Sequence, residues 1–215
     1  MMKRPQVIFL DAVGTLFGVQ GSVGEQYARV ALNFGIPLPI EEIDWAFIKS
    51  FKAAGTPAFG DTDASELKAK EYDWWFNLAV QTFKDAGFYH RFTDFGAFFA
   101  ALYDYFESAE PWYVYPEVPT MLQRWQDLNI PLGIISNFDS RIYAVLRSLQ
   151  LTPYFSSITI STEAGVAKPD RQIFEIALQK HKCHTAQAIH IGDSFDDDYQ
   201  AANAAGLRGI WLRRQ

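Results

Sequence analysis

Polar side chains that could do chemistry follow apolar segments at three separate places in the chain. Asp11 follows Val7–Leu10, and Ser136 and Asp193 stand at the ends of two later segments of similar character. Short apolar runs rich in β-branched or aromatic residues predict buried strands. An aspartate at the end of such a strand could act as a nucleophile and divide a hydrolysis into two steps through a covalent intermediate.

The other polar groups suggest what that nucleophile would attack. Carboxylates at neighbouring strand ends suit Mg²⁺, a hard cation that prefers oxygen ligands and often bridges to phosphate. Lys168 precedes a predicted helix, and its ammonium with the Ser136 hydroxyl could hold phosphoryl oxygens. Asp196 and Asp197 are expected to favour a helix amino terminus through its dipole, whereas Asp198 is expected to join the site.

The first part of the chain reads as an inserted helical region rich in aromatic residues. Residues 22–109 contain no convincing strand pattern. Capping and turn residues predict four helices there. They are Glu25–Leu32, Ile40–Ala54, a long helix from Asp63 or Ser65 towards Gly87, and one capped by Thr93 or Asp94.

After Pro116 strand-like and helical runs alternate, which predicts a doubly wound parallel α/β sheet. The strand of Asp11 must join this sheet, so residues 1–17 and 110–215 are predicted to form the core domain and 18–109 an all-helical cap. Ligands bind such sheets outside the carboxyl ends of the strands, where the polar residues gather. The predicted later strands are Pro131–Ile135, Ser157–Ile160, Ala188–Ile191 and Gly209–Leu212, and the last helix is Asp197–Ala205.

Composition limits the possible partners and compartments. The 215 residues are 49% hydrophobic and 20% charged, enough for a real core plus a smaller insertion. The net charge of -6 without a Lys/Arg run argues against nucleic acid. The single Cys183 indicates a reducing compartment, and the apolar run after Met1–Arg4 is too short to span a membrane. We therefore expect a cytoplasmic protein without a nucleic-acid or membrane partner. Separately from composition, we expect a small-molecule substrate and either a monomer or a homodimer.

Taken together, these segments resemble the haloacid dehalogenase-like hydrolase superfamily, which has a Rossmann-like core and a helical cap inserted after strand one. The resemblance covers nearly the whole chain. Two further segments, Ile135–Asp139 and Asp198–Gln200, resemble the subgroup called haloacid dehalogenase-like hydrolase domain-containing protein three. The four family motifs correspond to Asp11–Thr15, Ser136, Lys168, and Asp193 with Asp198.

The resemblance implies a role for each motif residue. Asp11 would be the nucleophile, and Ser136 and Lys168 would contact the phosphoryl group, with Lys168 also neutralising Asp11. Thr15 and Asn137 would contribute to substrate binding.

The resemblance also implies a magnesium site. Mg²⁺ would be bound by Asp11, by Asp193 and by the backbone carbonyl of Val13. Asp198 would support the metal through water or position Lys168.

Val13 departs from the pattern of the phosphatases in this superfamily. They carry an aspartate there, which protonates the leaving oxygen and later activates water, a form of catalysis worth about 10²–10⁴-fold. The dehalogenases also lack that aspartate, because halide leaves without a proton, but they have a serine where this chain has Asp193.

Three hypotheses follow. The first is a Mg²⁺-dependent phosphatase acting on a small phosphorylated metabolite with a good leaving group. The second is a non-catalytic binding protein that kept the fold. The third is a 2-haloacid dehalogenase, which would need a cap arginine such as Arg29 or Arg91.

Overall fold

The computed structural model describes residues 4–214, so residues 1–3 and 215 of the predicted core domain lie outside the described part. Five parallel strands form one sheet in the order β5-β4-β1-β6-β7. This arrangement confirms the predicted parallel α/β fold, with strand boundaries that differ from the predicted ones by at most one residue. The strands are β1 (Val7–Leu10), β4 (Leu132–Ser136), β5 (Ser157–Ile160), β6 (Ala188–Gly192) and β7 (Arg208–Trp211).

Strand β1 lies at the centre of the sheet, and all four of its residues are buried. Ile8 and Leu10 pack into one apolar cluster, while Val7 and Phe9 pack into a second one on the opposite face. Helices cover both faces, which is why a parallel strand reads as a continuous apolar run. The core helices are α5 (Val118–Asp127), α6 (Ile142–Ser148), α7 (Ser161–Ala164), α8 (Arg171–His181) and α9 (Ala201–Ala204).

Four helices between residues 23 and 105 pack around an aromatic cluster of their own. The fully buried Phe83 ring has edge-on contacts with Phe92, Phe95 and Phe98 at centroid distances of 5.1, 5.4 and 5.2 Å. Such contacts add to the burial of apolar area. The helices are α1 (Val23–Leu32), α2 (Ile40–Ala54), α3 (Ala64–Asp85) and α4 (Phe95–Tyr105), close to the predicted ranges.

An antiparallel two-stranded ribbon lies where the chain enters and leaves the helical insertion. Strands β2 (Phe17–Val19) and β3 (Trp112–Val114) pair with Phe17 opposite Val114. Neither strand is predicted from the sequence, because three residues are too few to show an alternating pattern. The predicted domain boundary after residue 17 falls inside β2, and the division into two domains stays a prediction.

The predicted last helix, Asp197–Ala205, is also different. The chain forms a π-helical turn over Phe195–Gln200 and only then the short α9. The turn begins with the Ser194 side chain accepting from the Asp197 amide, and Asp198 within it is buried. Single π-turns are frequent at functional sites. Within residues 4–214, no helix combines the length and the apolar character that crossing a membrane requires.

Candidate active site

Two neighbouring strands and the loop before α8 bring the predicted catalytic residues together at one edge of the sheet. Asp11 follows the central β1, and Ser136 ends the adjacent β4. The Lys168 ammonium donates to Asp11 Oδ1 at 2.7 Å, and the Ser136 hydroxyl donates to the same oxygen at 3.0 Å. All three side chains are buried. Among the described residues none is seen to donate a hydrogen bond to Asp11 Oδ2, so both hydrogen bonds to this carboxylate are made to Oδ1.

Lys168 lies between two carboxylates, since its ammonium also donates to Asp198 Oδ1 at 2.5 Å. Burial alone would lower the pKa of Lys168, but the charges of Asp11 and Asp198 outweigh burial and raise that pKa. Burial would raise the pKa of Asp198, yet hydrogen bonds from His190 and Lys168 together with their charges lower it well below its ordinary value. The lysine is therefore a cation and Asp198 an anion at neutral pH.

Asp198 is held from three sides. Its Oδ1 accepts from Lys168 and pairs with His190 Nε2 at 2.8 Å, and its Oδ2 accepts from the Ser194 amide at 3.0 Å. Both oxygens thus have protein partners. Of the two roles that the family resemblance implies for Asp198, this arrangement favours positioning Lys168.

The Asn137 side chain forms two hydrogen bonds with the backbone of Lys168. Its side-chain amide donates to the Lys168 carbonyl at 2.9 Å, and its carbonyl oxygen accepts from the Lys168 amide at 2.8 Å. Thr15 donates to Asp193 Oδ1 at 3.2 Å. Both residues thus orient other site residues, and substrate contact by Thr15 and Asn137 stays a prediction.

Three carboxylates form an acidic cluster that fits a cation. Asp11, Asp193 and Asp198 each offer an oxygen within 4.8 Å of the others. Asp193 is solvent-exposed as a whole residue, but desolvation of its carboxyl, followed by the charges of Asp11 and Asp198, raises its pKa. A Cβ at Gly14, which has φ +88°, would lie 2.3 Å from Asp193 Oδ2, so glycine lets this carboxylate approach. Since both Asp198 oxygens have protein partners, Asp11 and Asp193 are the two carboxylates left to bind a cation, and Mg²⁺ is commonly bound through one or two carboxylates.

Two cavities meet at this edge. The polar cleft, about 240 Å³, contains Asp11, Ser136, Lys168 and Asp193. The apolar cavity, about 230 Å³, lies between the helical insertion and the core. Three residues line both spaces: Val13, Phe51 and Asn137.

The apolar cavity contains one charged group that the sequence analysis missed. Arg141 donates from Nε and Nη2 to Asp139 at 2.9 and 2.7 Å, and Trp75 Nε1 donates to the same carboxylate at 2.7 Å. The guanidinium also lies 4.0 Å from the centroid of the Tyr103 ring. The sequence does not predict this arrangement, because Trp75 is 64 positions from Asp139 and no local pattern joins Arg141 to the cavity.

The predicted cap arginines lie elsewhere. Arg29 forms an exposed ion pair with Glu25 at 3.6 Å, and Arg91 donates to the Pro37 carbonyl at 3.5 Å. Neither residue lines the polar cleft or the apolar cavity. The arginine requirement of the dehalogenase hypothesis is therefore not met by either of these two candidates.

A buried glutamate connects the helical insertion to the core. Glu71 of α3 is 1% exposed and accepts hydrogen bonds from the Ser140 amide at 2.9 Å, from the Ser140 hydroxyl, and from the Thr162 hydroxyl at 2.5 Å. Ser140 and Thr162 follow core strands β4 and β5. The sequence analysis also missed this contact, since an isolated glutamate in a helix resembles a solvated surface residue.

Comparisons with known proteins agree with this architecture. A family model described as haloacid dehalogenase-like hydrolase matches residues 5–206. Haloacid dehalogenase-like hydrolase domain-containing protein 3 of Danio rerio is 32% identical over 210 residues, which cover 97% of this chain and 85% of that protein.

Two solved structures show the same fold. One, described as a dehalogenase, superposes with a TM-score of 0.72 at 15% identity and covers 100% of this chain and 88% of that one. The other is the HAD-hydrolase candidate YfnB of Bacillus subtilis in a magnesium-bound form. It superposes with a TM-score of 0.69 at 20% identity, covering 98% of this chain and 89% of that one.

Proposed function

The chain belongs to the haloacid dehalogenase-like hydrolase family, and on this premise we propose that it is a Mg²⁺-dependent phosphohydrolase acting on a small molecule. The observation that carries the proposal is the acidic cluster of Asp11, Asp193 and Asp198 beside a buried lysine. A cation and a lysine can together neutralise a phosphoryl group, whereas expulsion of halide needs no such charge.

Asp11 would start the reaction. Its Oδ2 attacks phosphorus, the new O–P bond forms, and the bond from phosphorus to the leaving oxygen breaks. Lys168 and Ser136, which fix Oδ1, would also stabilise the phosphoryl oxygens. Water then hydrolyses the aspartyl phosphate, which releases inorganic phosphate and regenerates the carboxylate.

The residues that would hold Mg²⁺ are Asp11, Asp193 and the backbone carbonyl of Val13, with Asp198 acting through Lys168. When bound, the cation would neutralise charge on the phosphoryl oxygens. Thr15 supports this set through its hydrogen bond to Asp193.

Val13 restricts which substrates turn over. Valine donates no proton to the leaving oxygen, and the missing acid–base help is worth about 10²–10⁴-fold. The site therefore suits phosphate esters whose leaving oxygen is weakly basic. The same valine supports the second candidate function, a non-catalytic protein that binds ligands at the apolar cavity.

A panel of substrates distinguishes a phosphohydrolase from a dehalogenase and from a non-catalytic binding protein. We expect the wild-type protein to hydrolyse aryl phosphates faster than alkyl phosphates, with Mg²⁺ and not with EDTA. Asp11→Asn should abolish turnover, and Asp127→Asn, at an exposed position on α5, should retain it. Metal-independent turnover of 2-haloacids would favour a dehalogenase, and a folded protein that hydrolyses no compound of the panel would favour the binding protein.

A further inference from the structure

We propose that the apolar cavity beside Val13 holds the leaving group of the substrate and that this group is an uncharged aromatic ring. The substrate class is then a phosphate monoester of an aromatic hydroxyl. This inference rests on the proposed function, because it assigns the leaving group to one of the two cavities that meet at Val13.

The size and walls of the cavity suit one ring. The volume is about 230 Å³, and an apolar cavity of about 150 Å³ holds benzene. One ring with small substituents therefore fits. Aromatic side chains come from both sides, with Tyr27 and Phe99 on the helical insertion and Trp112 and Phe138 on the core. Such walls favour edge-to-face and offset contacts with an aromatic guest.

The electrostatics of the cavity favour an uncharged guest. Arg141 is the charged residue in its lining, and its guanidinium is already paired through two hydrogen bonds with Asp139. The Trp75 indole, which could otherwise bind an acceptor, donates to that same carboxylate. A carboxylate guest would therefore lose its hydration while facing a guanidinium whose charge Asp139 already compensates, and a polyhydroxylated sugar would find few polar partners in a lining made mostly of apolar and aromatic side chains.

Val13 lies where the apolar cavity meets the polar cleft, next to the expected position of the leaving oxygen. Val13 lines both spaces, so the leaving oxygen of a substrate that fills them lies beside a side chain that donates no proton. In the first step the Asp11–phosphorus bond forms, the phosphorus–oxygen bond to the ring breaks, and the aryl oxide departs as an anion that takes its proton from water. An aryl oxide is a weaker base than an alkoxide and needs that proton less.

Binding measurements with two phosphonates test the assignment without requiring turnover. Benzylphosphonate and methylphosphonate are titrated calorimetrically in the presence of Mg²⁺ into the wild-type protein, Val23→Phe and Val80→Phe. Val23 lines the cavity. Val80 is a half-buried valine of the same helical insertion, lies outside the cavity lining, and supplies the matched control.

We expect wild type and Val80→Phe to bind benzylphosphonate at least about tenfold more tightly than methylphosphonate, as burial of an apolar ring requires. Val23→Phe fills the cavity and should lose this preference. Equal affinities in the wild type, or the same preference in all three proteins, would overturn the assignment. If the protein hydrolyses phosphate esters but binds the two phosphonates equally, the assignment of the cavity to an aromatic leaving group is wrong and the proposed function stands. The preference in a protein that hydrolyses no ester would contradict the proposed function and retain the aromatic-binding assignment.

Discussion

The polar cleft and the apolar cavity adjoin at Val13, yet they are built by opposite means. In the cleft, Lys168 is buried between two carboxylates, and the geometry of the site is fixed by charge-assisted hydrogen bonds. In the cavity, packed rings from the helical insertion and the core set the shape, and its one guanidinium is neutralised by Asp139. In the proposed function, charge fixes the reacting atoms, while aromatic packing selects the group attached to them.

The comparison predicts different sensitivities to mutation. A buried ion pair that loses one partner leaves an uncompensated charge, which is more costly than a change of packing volume at a half-buried wall. The cleft should therefore lose stability as well as activity, whereas the cavity should mainly change its selectivity.

Lys168→Met should produce the largest effect, because it leaves Asp11 and Asp198 buried without their shared cation. We expect the free energy of unfolding to fall by about 3–5 kcal/mol in urea titrations at neutral pH. Lys68→Met, at an exposed position on α3, is the control and should change it little. A loss in Lys168→Met no larger than that of the control would show that the charge cluster does not hold the cleft together.

The pH dependence of stability should agree with this result. Folding lowers the pKa of Asp198, so its stabilising contribution is present above the ordinary carboxyl pKa and is lost as the pH falls towards the lowered value. Folding raises the pKa of Lys168, so its contribution is present below the ordinary lysine pKa and is lost as the pH rises through the raised value.

Asp193→Asn should separate metal binding from fold stability. Folding raises the pKa of Asp193, so its ionisation opposes folding increasingly as the pH rises from the ordinary carboxyl pKa to the raised one, fully above that, and not at all in acid. At neutral pH without metal we expect the variant to melt at a higher temperature than the wild type. Mg²⁺ at about 100 times its Kd should add about 2.7 kcal/mol to the stability of the wild type only. Equal Mg²⁺ stabilisation of both proteins would move the metal site away from Asp193.

Glu71→Gln should weaken the contact between the helical insertion and the core. The buried carboxylate accepts three hydrogen bonds from Ser140 and Thr162, and the amide can accept with only one of its two terminal atoms. We expect a loss of about 1–3 kcal/mol in stability and faster hydrogen exchange at the Ser140 amide. Glu66→Gln, exposed on the same helix, is the control. Unchanged exchange in Glu71→Gln would show that these bonds do not hold the two parts together.

Val13→Asp should give the smallest change in free energy of the variants considered, and its effect should appear as a change in the ratio of alkyl to aryl phosphate turnover. A restored acid should raise turnover of alkyl phosphates by roughly tenfold and of aryl phosphates by less, since a poor leaving group needs the proton most. Val13→Asn is the control, because asparagine has the shape of aspartate but transfers no proton. Folding must first be verified, because the carboxylate is introduced beside Asp11. Fast alkyl turnover by the wild type would contradict the premise.

How far the sequence alone could predict the molecule depends on the range of the interactions. The strand before Asp11 and the helix Ile40–Ala54 were predictable, because apolar patterns and capping residues are local signals. Parallel strands also bring their carboxyl ends to one edge, so the meeting of Asp11, Ser136 and Lys168 followed from the fold.

The residues between the two parts of the molecule were not predictable in this way. Arg141 pairs with a near neighbour in sequence, but the contact of Asp139 with Trp75 joins residues that are 64 positions apart. Glu71 and Thr162 are separated by 91 positions. Such contacts depend on how the helices dock onto the sheet, which no periodicity specifies. For the same reason Arg29 and Arg91 were offered as pocket residues, although they lie outside both spaces.

The most direct test of the account is to isolate the covalent intermediate on Asp11. The protein is mixed with an aryl phosphate and Mg²⁺, quenched in acid, digested and measured by mass spectrometry. We predict that the peptide containing Asp11 gains the mass of one phosphoryl group, and that the gain is absent with EDTA and in Asp11→Asn. Turnover of the same ester with a phosphoryl group on another residue, or with undiminished rate in Asp11→Asn, would contradict the account.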